Sequence, residues 1–382
     1  MFTKRFTIFK LFGFEVKLDL SWLLIAILII WSLATGFFPL SFPGLAVATY
    51  WWMGAFCALG LLFSIVFHEL SHSIVARRYG LKISGITLFI FGGVAEMTEE
   101  PENAKTEFMM AIAGPLSSFL LAFIFYGLYI LSVSIGAELA VLGVLLYLSY
   151  MNLMLAIFNL VPAFPLDGGR ILRAALWRWK HSLHEATRIS SQIGSGFGIV
   201  LIILGVLAVL RGNFIGGMWW FLIGMFLRSA AGMSYQQLLV REMLSGETVG
   251  HLMNSTIVVV PPSISVQELV EDYVYKYHFK MFPVVENSKL MGCVTTNEIK
   301  NLPREEWGWR KVRDVATSCT AENTIAPDTE VLKAMSMMTQ SGKSRLMVVD
   351  HGKLVGILAL KDLMKKLSTK LELNQFHNHA GK

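Results

Sequence analysis

The sequence predicts a polytopic α-helical membrane domain followed by a soluble α+β domain, and three observations lead to this prediction. The chain of 382 residues is 54% hydrophobic and only 16% charged, which is too apolar for an ordinary soluble protein. Up to about residue 233, long apolar runs alternate with short polar links, whereas the remainder is mixed in charge. A short motif recurs within that remainder, which indicates two copies of one small unit.

Six membrane spans are predicted, because a spanning helix needs about 20 largely apolar residues. Basic residues cluster before the first span, after the second and after the fourth. All three clusters lie on one side of the membrane if the N-terminus is inside, so the positive-inside rule predicts a cytoplasmic N-terminus and a cytoplasmic C-terminal part. The predicted spans are approximately 19–39, 50–77, 105–133, 138–163, 193–211 and 215–233.

The domain organisation follows from these spans and from the repeat. We predict a six-span domain over residues 1–233 and two repeat units over 234–303 and 304–368. Residues 369–382 are interpreted as a flexible tail, in which His377 and His379 are solvated rather than metal ligands.

The second predicted span contains His68-Glu69-Leu70-Ser71-His72, an H-E-x-x-H pattern. Two imidazoles one helical turn apart lie on one helix face and can reach a single metal ion, with Glu69 beside the first. The alternative is a chance match with surface histidines. However, the apolar run 61–67 leads directly into the motif, and unliganded ionisable groups at that depth would be costly. The pattern predicts a zinc hydrolase site within the bilayer and therefore a membrane-spanning substrate.

Asp167 is the predicted third metal ligand, because a zinc site with two histidines needs another protein ligand beside its open position. It follows Pro162 and Pro165, which end the fourth span, and precedes Gly168-Gly169, which we interpret as a sharp backbone turn. The predicted orientation puts Asp167 on the same side of the membrane as the two histidines. The alternative is an ordinary Asp-Gly turn at the membrane interface.

Two more features adjoin the predicted site. Asn159 is a polar residue in an apolar helix, and it either makes an interhelical hydrogen bond or holds the substrate backbone or the developing oxyanion near the metal. Segment 81–98 is too short to span and is rich in β-forming residues before Gly92-Gly93. It is predicted either as a hairpin that lines a cavity or as a surface hairpin, and both interpretations stay open.

Taken together, these residues resemble the site-2 protease family of intramembrane zinc metalloproteases. The resemblance covers the H-E-x-x-H pattern, Gly92-Gly93, Ala113-Gly114-Pro115 and the stretch 159–169. It implies a multi-pass protein of the plasma (inner) membrane that performs regulated intramembrane proteolysis, in which the transmembrane segment of a protein substrate is cut. One departure is that the family often has a small polar or Asn residue after Ala-Gly-Pro, where this chain has Leu116-Ser117-Ser118.

The resemblance also implies roles for individual residues. One Zn²⁺ per chain would be held by His68, His72 and Asp167. Glu69 would act as the general base toward the attacking water. Asn159, Gly92 and Gly93 would position the substrate.

The repeat joins residues 284–292 and 348–356, which align without a gap and read as strand, turn and strand before a helix start. Two such units resemble a tandem pair of CBS (cystathionine-β-synthase-type) modules, which implies a homodimer and, in many members, bound adenine nucleotide. That family's binding loop favours Thr or Ser after the Gly and then an Asp. Here Thr295 is followed by Glu298, and Asp362 follows Ala359. Neither binding pattern is complete, so a nucleotide site and a ligand-free dimerisation or gating module both remain open.

Composition also limits the other classes of function. The net charge of +6 is modest, and in a membrane protein it reflects basic cytoplasmic loops, so we predict no nucleic-acid partner. The 3 cysteines are widely spaced and are interpreted as buried free thiols. The competing interpretations are a CBS-regulated transporter, although no inverted repeat of spans is evident, and a catalytically silent metal-binding scaffold.

Overall fold

The computed structural model describes residues 5–11, 13–81, 83–89, 92–97, 101–287 and 289–366. The chain forms two compact units, Met1–Leu238 and Leu239–Lys382, and each is described by itself below. The predicted tail 369–382, including His377 and His379, lies outside the described residues.

The first unit contains six helices that are long and apolar enough to cross a membrane, which confirms the predicted fold class. The first of them includes a π-helical stretch over Leu33–Phe37. A shorter, amphipathic helix, α5, separates the fourth and fifth spans. In chain order the helices are α1 (Leu20–Ser41), α2 (Val47–Arg78), α3 (Ala104–Ser134), α4 (Leu139–Asn159), α5 (Asp167–Lys180), α6 (Leu183–Leu210) and α7 (Phe214–Leu244).

Several helix ends differ from the sequence-based ranges, and α7, for instance, continues to Leu244 instead of residue 233. Two of the differences have identifiable physical reasons. α4 ends at Asn159 instead of residue 163, because Pro162 follows closely and proline cannot continue a helix. α6 begins at Leu183 instead of residue 193. Its first turns are helical but polar, so the search for an apolar span did not include them. The Ser182 hydroxyl accepts a hydrogen bond from the Glu185 N–H at 3.2 Å and so caps this helix.

Two strands before the first span, β1 (Arg5–Leu11) and β2 (Phe14–Asp19), and two after the second span, β3 (Ile83–Phe89) and β4 (Gly92–Met97), form one four-stranded sheet. Their order in the sheet is β1-β2-β3-β4. β3 and β4 pair antiparallel and form the hairpin expected within segment 81–98, while β2 pairs with β3 in parallel. Gly85 lies opposite Glu15, and a Cβ there would lie 2.7 Å from the Glu15 carbonyl oxygen, so this position requires glycine.

The first two strands were not expected from the sequence, which we interpreted there only as a basic N-terminal cluster. A signal for them exists, because Phe14, Val16 and Leu18 alternate with charged residues after a glycine at φ +87°. Phe14 and Val16 are buried in one cluster with Val66 and Leu70 of α2. The sheet therefore packs directly against the helix that carries the H-E-x-x-H motif.

Small and polar residues bring the spanning helices close together. The Asn152 amide of α4 donates hydrogen bonds to Ser64 Oγ of α2 at 2.9 Å and to the carbonyl of its own helix one turn back. Between α6 and α7, a Cβ on Gly205 would lie 2.7 Å from the Gly217 carbonyl oxygen, so these backbones are in contact. Close contact through small residues is typical of helix packing in membranes.

The second unit contains two three-stranded sheets, ordered β5-β6-β7 and β10-β9-β8, and each repeat supplies one antiparallel hairpin. Asn287 and His351 occupy equivalent repeat positions, and both have positive φ, at +49° and +46°. The two hairpins therefore turn in the same way. The strands are β5 (Met281–Glu286), β6 (Lys289–Thr295), β7 (Thr317–Ser318), β8 (Thr324–Ile325), β9 (Arg345–Asp350) and β10 (Lys353–Ala359), and the longest described helix is α8 (Val331–Ser341).

Short helical segments complete this unit, and one of them, Leu269–Val274, is π-helical. The unit has two apolar cores, one around Phe282 and Val294 and the other around Leu346 and Leu358. Each also includes a residue from the range of the other repeat, Val312 in the first and Val249 in the second. The remaining short segments are Val249–Leu252, Val266–Glu268, Tyr275–Tyr277, Thr296–Lys300, Arg304–Glu306 and Val312–Val315.

The cysteines are all free, as expected, but they are not all buried. Cys57 and Cys293 are buried, and burial raises the pKa of the Cys293 thiol to about 11. Cys319 is exposed, which corrects the expectation for that residue, because it follows a two-residue edge strand that leaves it at the surface.

Candidate metal centre

Three of the sequence-predicted residues come together at one point of the first unit. His68 and His72 lie one turn apart on α2, and Asp167 is the first residue of α5. The two Nε2 atoms are 3.1 Å apart, and Asp167 Oδ2 lies 3.1 Å from His68 Nε2 and 3.2 Å from His72 Nε2. Within the described part of the chain, this is the one group of His, Cys, Asp and Glu side chains that could hold a metal ion.

The donor set fits a zinc ion. Ligands at 2.0–2.1 Å from a tetrahedral zinc are about 3.3 Å from one another, close to the separations found here. Gly114 of α3 provides an independent test, because a Cβ on it would lie 2.6 Å from His68 Nε2 and closer still to His72 Nε2. The space that this glycine leaves open is therefore at the point where the imidazoles converge.

Both imidazoles are fixed by partners on α3. His72 Nδ1 is 2.7 Å from the Met110 carbonyl oxygen, which only accepts, so Nδ1 carries the proton and Nε2 presents a lone pair to the site. His68 Nδ1 is 2.8 Å from Ser118 Oγ. Outer partners of this kind orient metal-binding histidines and raise their basicity. Ser118 lies where the chain departs from the family pattern after Ala-Gly-Pro, and its contact with His68 was not predicted from the sequence.

Replacing Ser118 by Ala is expected to lower zinc affinity about 10–100-fold, because His68 loses the partner that holds its ring. The measurement is competition for zinc with a chelator of known affinity, on the purified full-length protein. Ser117→Ala is the matched control, since the Ser117 hydroxyl is also buried but donates only to the Gly114 carbonyl of its own helix. Equal zinc affinity in the wild-type and S118A proteins would contradict this role.

Glu69 lies beside the metal ligands and against the hairpin. Its carboxylate packs over Gly93 of β4, where a Cβ would lie 2.9 Å from Glu69 Cδ and 3.0 Å from Oε1. The Gly92-Gly93 pair therefore leaves room for the Glu69 side chain next to the strand. Through this contact the hairpin lies directly beside the candidate metal centre. From the sequence, a hairpin that lines a cavity and a surface hairpin had both remained open.

The glycines after Asp167 have a different role from the one we expected. Neither Gly168 nor Gly169 has positive φ, so they do not form a sharp turn. Their hydrogens instead face the loop that precedes α5, because a Cβ on Gly168 would meet the Leu160 carbonyl and a Cβ on Gly169 would meet the Phe164 backbone nitrogen. The two glycines allow this helix start to pack tightly against the loop that positions Asp167.

A buried ion pair, which was not predicted from the sequence, joins α3 to α5. Glu107 in the first turn of α3 is 0% exposed, and Arg173 on α5 is 5% exposed. The Arg173 Nε donates to Glu107 Oε1 at 2.6 Å, a second guanidinium nitrogen contacts the same oxygen, and the guanidinium lies over the Phe164 ring. The pair connects α5, and with it Asp167, to α3, whose Met110 and Ser118 contact the two imidazoles.

A cavity of about 850 Å³ adjoins the centre and is lined mainly by apolar side chains. Asn159, Gly92, Gly93 and Arg170 line it together with the metal triad and Glu69. Asn159 is the last residue of α4, so the structure places it where both of its predicted roles are still available. The apolar lining of the spanning helices includes Trp22, Ile25 and Ile29 of α1, Leu61 and Ile65 of α2, Met154 and Leu155 of α4, and Trp219, Ile223 and Phe226 of α7.

The two residues predicted for nucleotide binding lie at the ends of their own repeats. Thr295 is the last residue of β6, and its hydroxyl and backbone N–H are both bonded to the Glu298 carboxylate in a capping box. Asp362 is exposed and lies in the helical turn after β10. The Thr295 hydroxyl is thus already engaged within the repeat.

Comparison with known proteins identifies both units. Residues 56–136 and 133–204 match peptidase family M50, and residues 249–305 and 312–369 match the CBS domain. Zinc metalloprotease MJ0392 of Methanocaldococcus jannaschii is 33% identical over 370 residues, which are 96% of this chain and 97% of that protein.

The chain belongs to peptidase family M50. The M50 assignment confirms the predicted resemblance to site-2 proteases, the metalloprotease activity class and the tandem CBS units, and it places the chain among multi-pass membrane proteins. Among solved structures, the site-2 protease of M. jannaschii is 32% identical and covers 60% of this chain and 94% of that chain, with a TM-score of 0.42. CBSX2 in complex with AMP is 27% identical and covers 32% of this M50 chain and 98% of that chain, with a TM-score of 0.30.

Proposed function

We propose that this M50 protein is an intramembrane zinc endopeptidase that cuts transmembrane segments of membrane-bound substrates, and so performs regulated intramembrane proteolysis. The observation that carries the proposal is the ligand triad of His68, His72 and Asp167 beside an apolar cavity lined by spanning helices. The M50 family favours this function over a transporter. The nearby Glu69 carboxylate favours it over a catalytically silent scaffold.

His68, His72 and Asp167 would hold one zinc ion per chain, which would supply a Lewis acid toward a carbonyl and would make water more acidic. Glu69 takes the proton of the attacking water as the water oxygen bonds to the scissile carbonyl carbon. When the C–N bond breaks, Glu69 passes this proton to the leaving amine. The contact with Gly93 keeps the Glu69 carboxylate at the edge of the cavity, where it can serve both steps.

The hairpin is suited to hold an unwound substrate. A transmembrane helix hides its carbonyls in hydrogen bonds, so the segment to be cut must first unwind and find other partners for its backbone. β4 is an edge strand in the described sheet and begins with Gly92-Gly93 at the cavity. An extended substrate pairs with such an edge by adding a strand. Asn159, at the same cavity, is proposed to hold a substrate carbonyl.

The CBS units are proposed to regulate the protease from the cytoplasm. Support for the orientation comes from Arg77 and Arg78 at the end of α2 and from the basic residues of α5, which lie on the N-terminal side of the membrane under the positive-inside rule. We place the protein in the plasma membrane. Adenine nucleotide bound by the CBS units and a homodimer formed through them are the two proposed means of regulation.

Glu69→Gln is expected to lower the rate of cleavage about 10²–10⁴-fold and to leave bound zinc unchanged, because the amide cannot take a proton. The measurement uses purified full-length protein in liposomes with a panel of single-span substrates, together with zinc analysis. Glu102→Gln is the control, since Glu102 is exposed ahead of α3. Zinc-dependent cleavage that survives in the E69Q protein, or a zinc-loaded wild-type protein that cuts none of the substrates, would refute the proposal.

A further inference from the structure

Two arginines of α5, one helical turn apart, have different surroundings. Arg173 is buried and engaged by Glu107 and by the Phe164 ring. Arg170 is half-buried and lines the cavity, and across the described residues no hydrogen bond or ion pair is found for its guanidinium. The five N–H donors of this guanidinium are therefore available to a ligand in the cavity.

The position of Arg170 is close to the reacting groups. It is three residues after Asp167, so both side chains lie on one face of α5. It also lines the same cavity as Glu69 and the three candidate metal ligands. Arg170 therefore lies at the cavity in which the scissile bond would be held.

The charge of the cavity favours an anion at this point. A divalent metal ion together with the carboxylates of Asp167 and Glu69 is electrically neutral, so Arg170 gives the cavity one positive charge in excess. Among the described lining residues, Arg170 is the one basic side chain besides His68 and His72, which would bind the metal ion. Because the surrounding lining is apolar, a charge-assisted hydrogen bond there is stronger than in water.

We propose that Arg170 is a catalytic residue that donates hydrogen bonds to the scissile carbonyl oxygen and stabilises the negative charge that this oxygen gains when water adds. The inference rests on the proposed protease function and extends it by a residue that neither the motif nor the metal triad includes. Arg170 does not act as a general acid or base, because its guanidinium stays protonated. Its contribution to catalysis is therefore electrostatic only. This assigns Arg170 to the oxyanion and leaves Asn159 free to hold a neighbouring substrate carbonyl.

The test compares Arg170→Gln and Arg170→Lys in the full-length, zinc-loaded protein. For R170Q we expect kcat to fall about 10²–10³-fold, with KM and zinc content unchanged, because the contact strengthens as the oxyanion forms. R170K should recover part of the lost kcat, because the lysine ammonium group keeps the positive charge. A peptidyl phosphinate, whose tetrahedral anion resembles the intermediate, should bind R170Q more weakly by a similar factor. Arg178→Gln is the matched control, since Arg178 is exposed on the same helix.

Failure of this inference is distinguishable from failure of the proposed function. If the wild-type protein cleaves its substrate and R170Q retains kcat within about twofold, Arg170 has no catalytic role while the protease assignment stands. If R170Q loses kcat and zinc in parallel, or if phosphinate affinity is unchanged, Arg170 is structural and the inference is wrong. If the wild-type protein neither cleaves nor binds the phosphinate, the proposed function fails, and the inference fails with it.

Discussion

Replacing Gly114 by Ala is expected to abolish zinc binding and, with it, all cleavage. The added methyl would lie 2.6 Å from His68 Nε2 and closer still to His72 Nε2, where the two ring nitrogens converge. These rings cannot retreat, because His68 is bonded to Ser118 and His72 to the Met110 carbonyl. We expect zinc content near zero in the purified variant, measured by elemental analysis beside the thermal unfolding temperature.

The control for this substitution is Gly127→Ala on the same helix, where an added Cβ meets nothing within 4 Å. That variant should keep full zinc occupancy and should be slightly more stable, since alanine favours helix formation. A folded G114A protein that retains one zinc per chain would show that the metal does not lie between the two histidines. A G114A protein that fails to fold would be recognised by the same unfolding measurement.

Breaking the buried pair of Glu107 and Arg173 is expected to cost about 3–5 kcal/mol of unfolding free energy, because either single replacement leaves an uncompensated buried charge. Glu107→Gln and Arg173→Leu should both show this loss in denaturant unfolding of the detergent-solubilised protein. They should also lose zinc at a lower chelator concentration, since α5 carries Asp167. The double replacement E107L/R173L should be less damaging than either single change, because no charge is then left buried.

The exposed pair of Lys180 and Glu185 provides the comparison. Lys180 Nζ lies 3.1 Å from Glu185 Oε2 at the surface, so water and salt screen the interaction. Glu185→Gln should leave both the unfolding midpoint and the zinc affinity unchanged. If E107Q behaved in the same way as E185Q, the buried pair would not be holding α5 in place.

Local spacing explains why most of the centre could be predicted from the sequence. The one-turn spacing of His68 and His72 and their position in an apolar run were sufficient for the metal prediction, and the Pro-rich break before Asp167 indicated it as the candidate third ligand, which the structure brings together with the two histidines. The capping box of Thr295 and Glu298 was equally visible as a Thr-x-x-Glu pattern, whereas the sequence-based interpretation considered Thr295 only as a nucleotide-binding residue. Nucleotide binding by Thr295 stays a prediction.

Long-range pairing explains what could not be predicted. Glu107 and Arg173 are 66 residues apart. Alone, Glu107 resembles an ordinary acidic residue in the first turn of a helix, and Arg173 resembles one of several basic residues on a short helix. The partners of the histidines are similarly remote, with Ser118 50 residues from His68. The first two strands were missed because their charged residues dominated the interpretation of a segment whose apolar alternation covers only a few positions.

The helix α3 supplies no metal ligand, and yet one of its faces sets the geometry of the centre. Glu107, Met110, Gly114 and Ser118 recur at helical spacing along that face, and they contribute an ion pair, a carbonyl, an open space and a hydroxyl. We therefore expect that a chain with all three candidate ligands and Glu69 would bind no metal if these four positions were altered. Metal binding in this arrangement thus depends on side chains and an open space that the H-E-x-x-H pattern does not include.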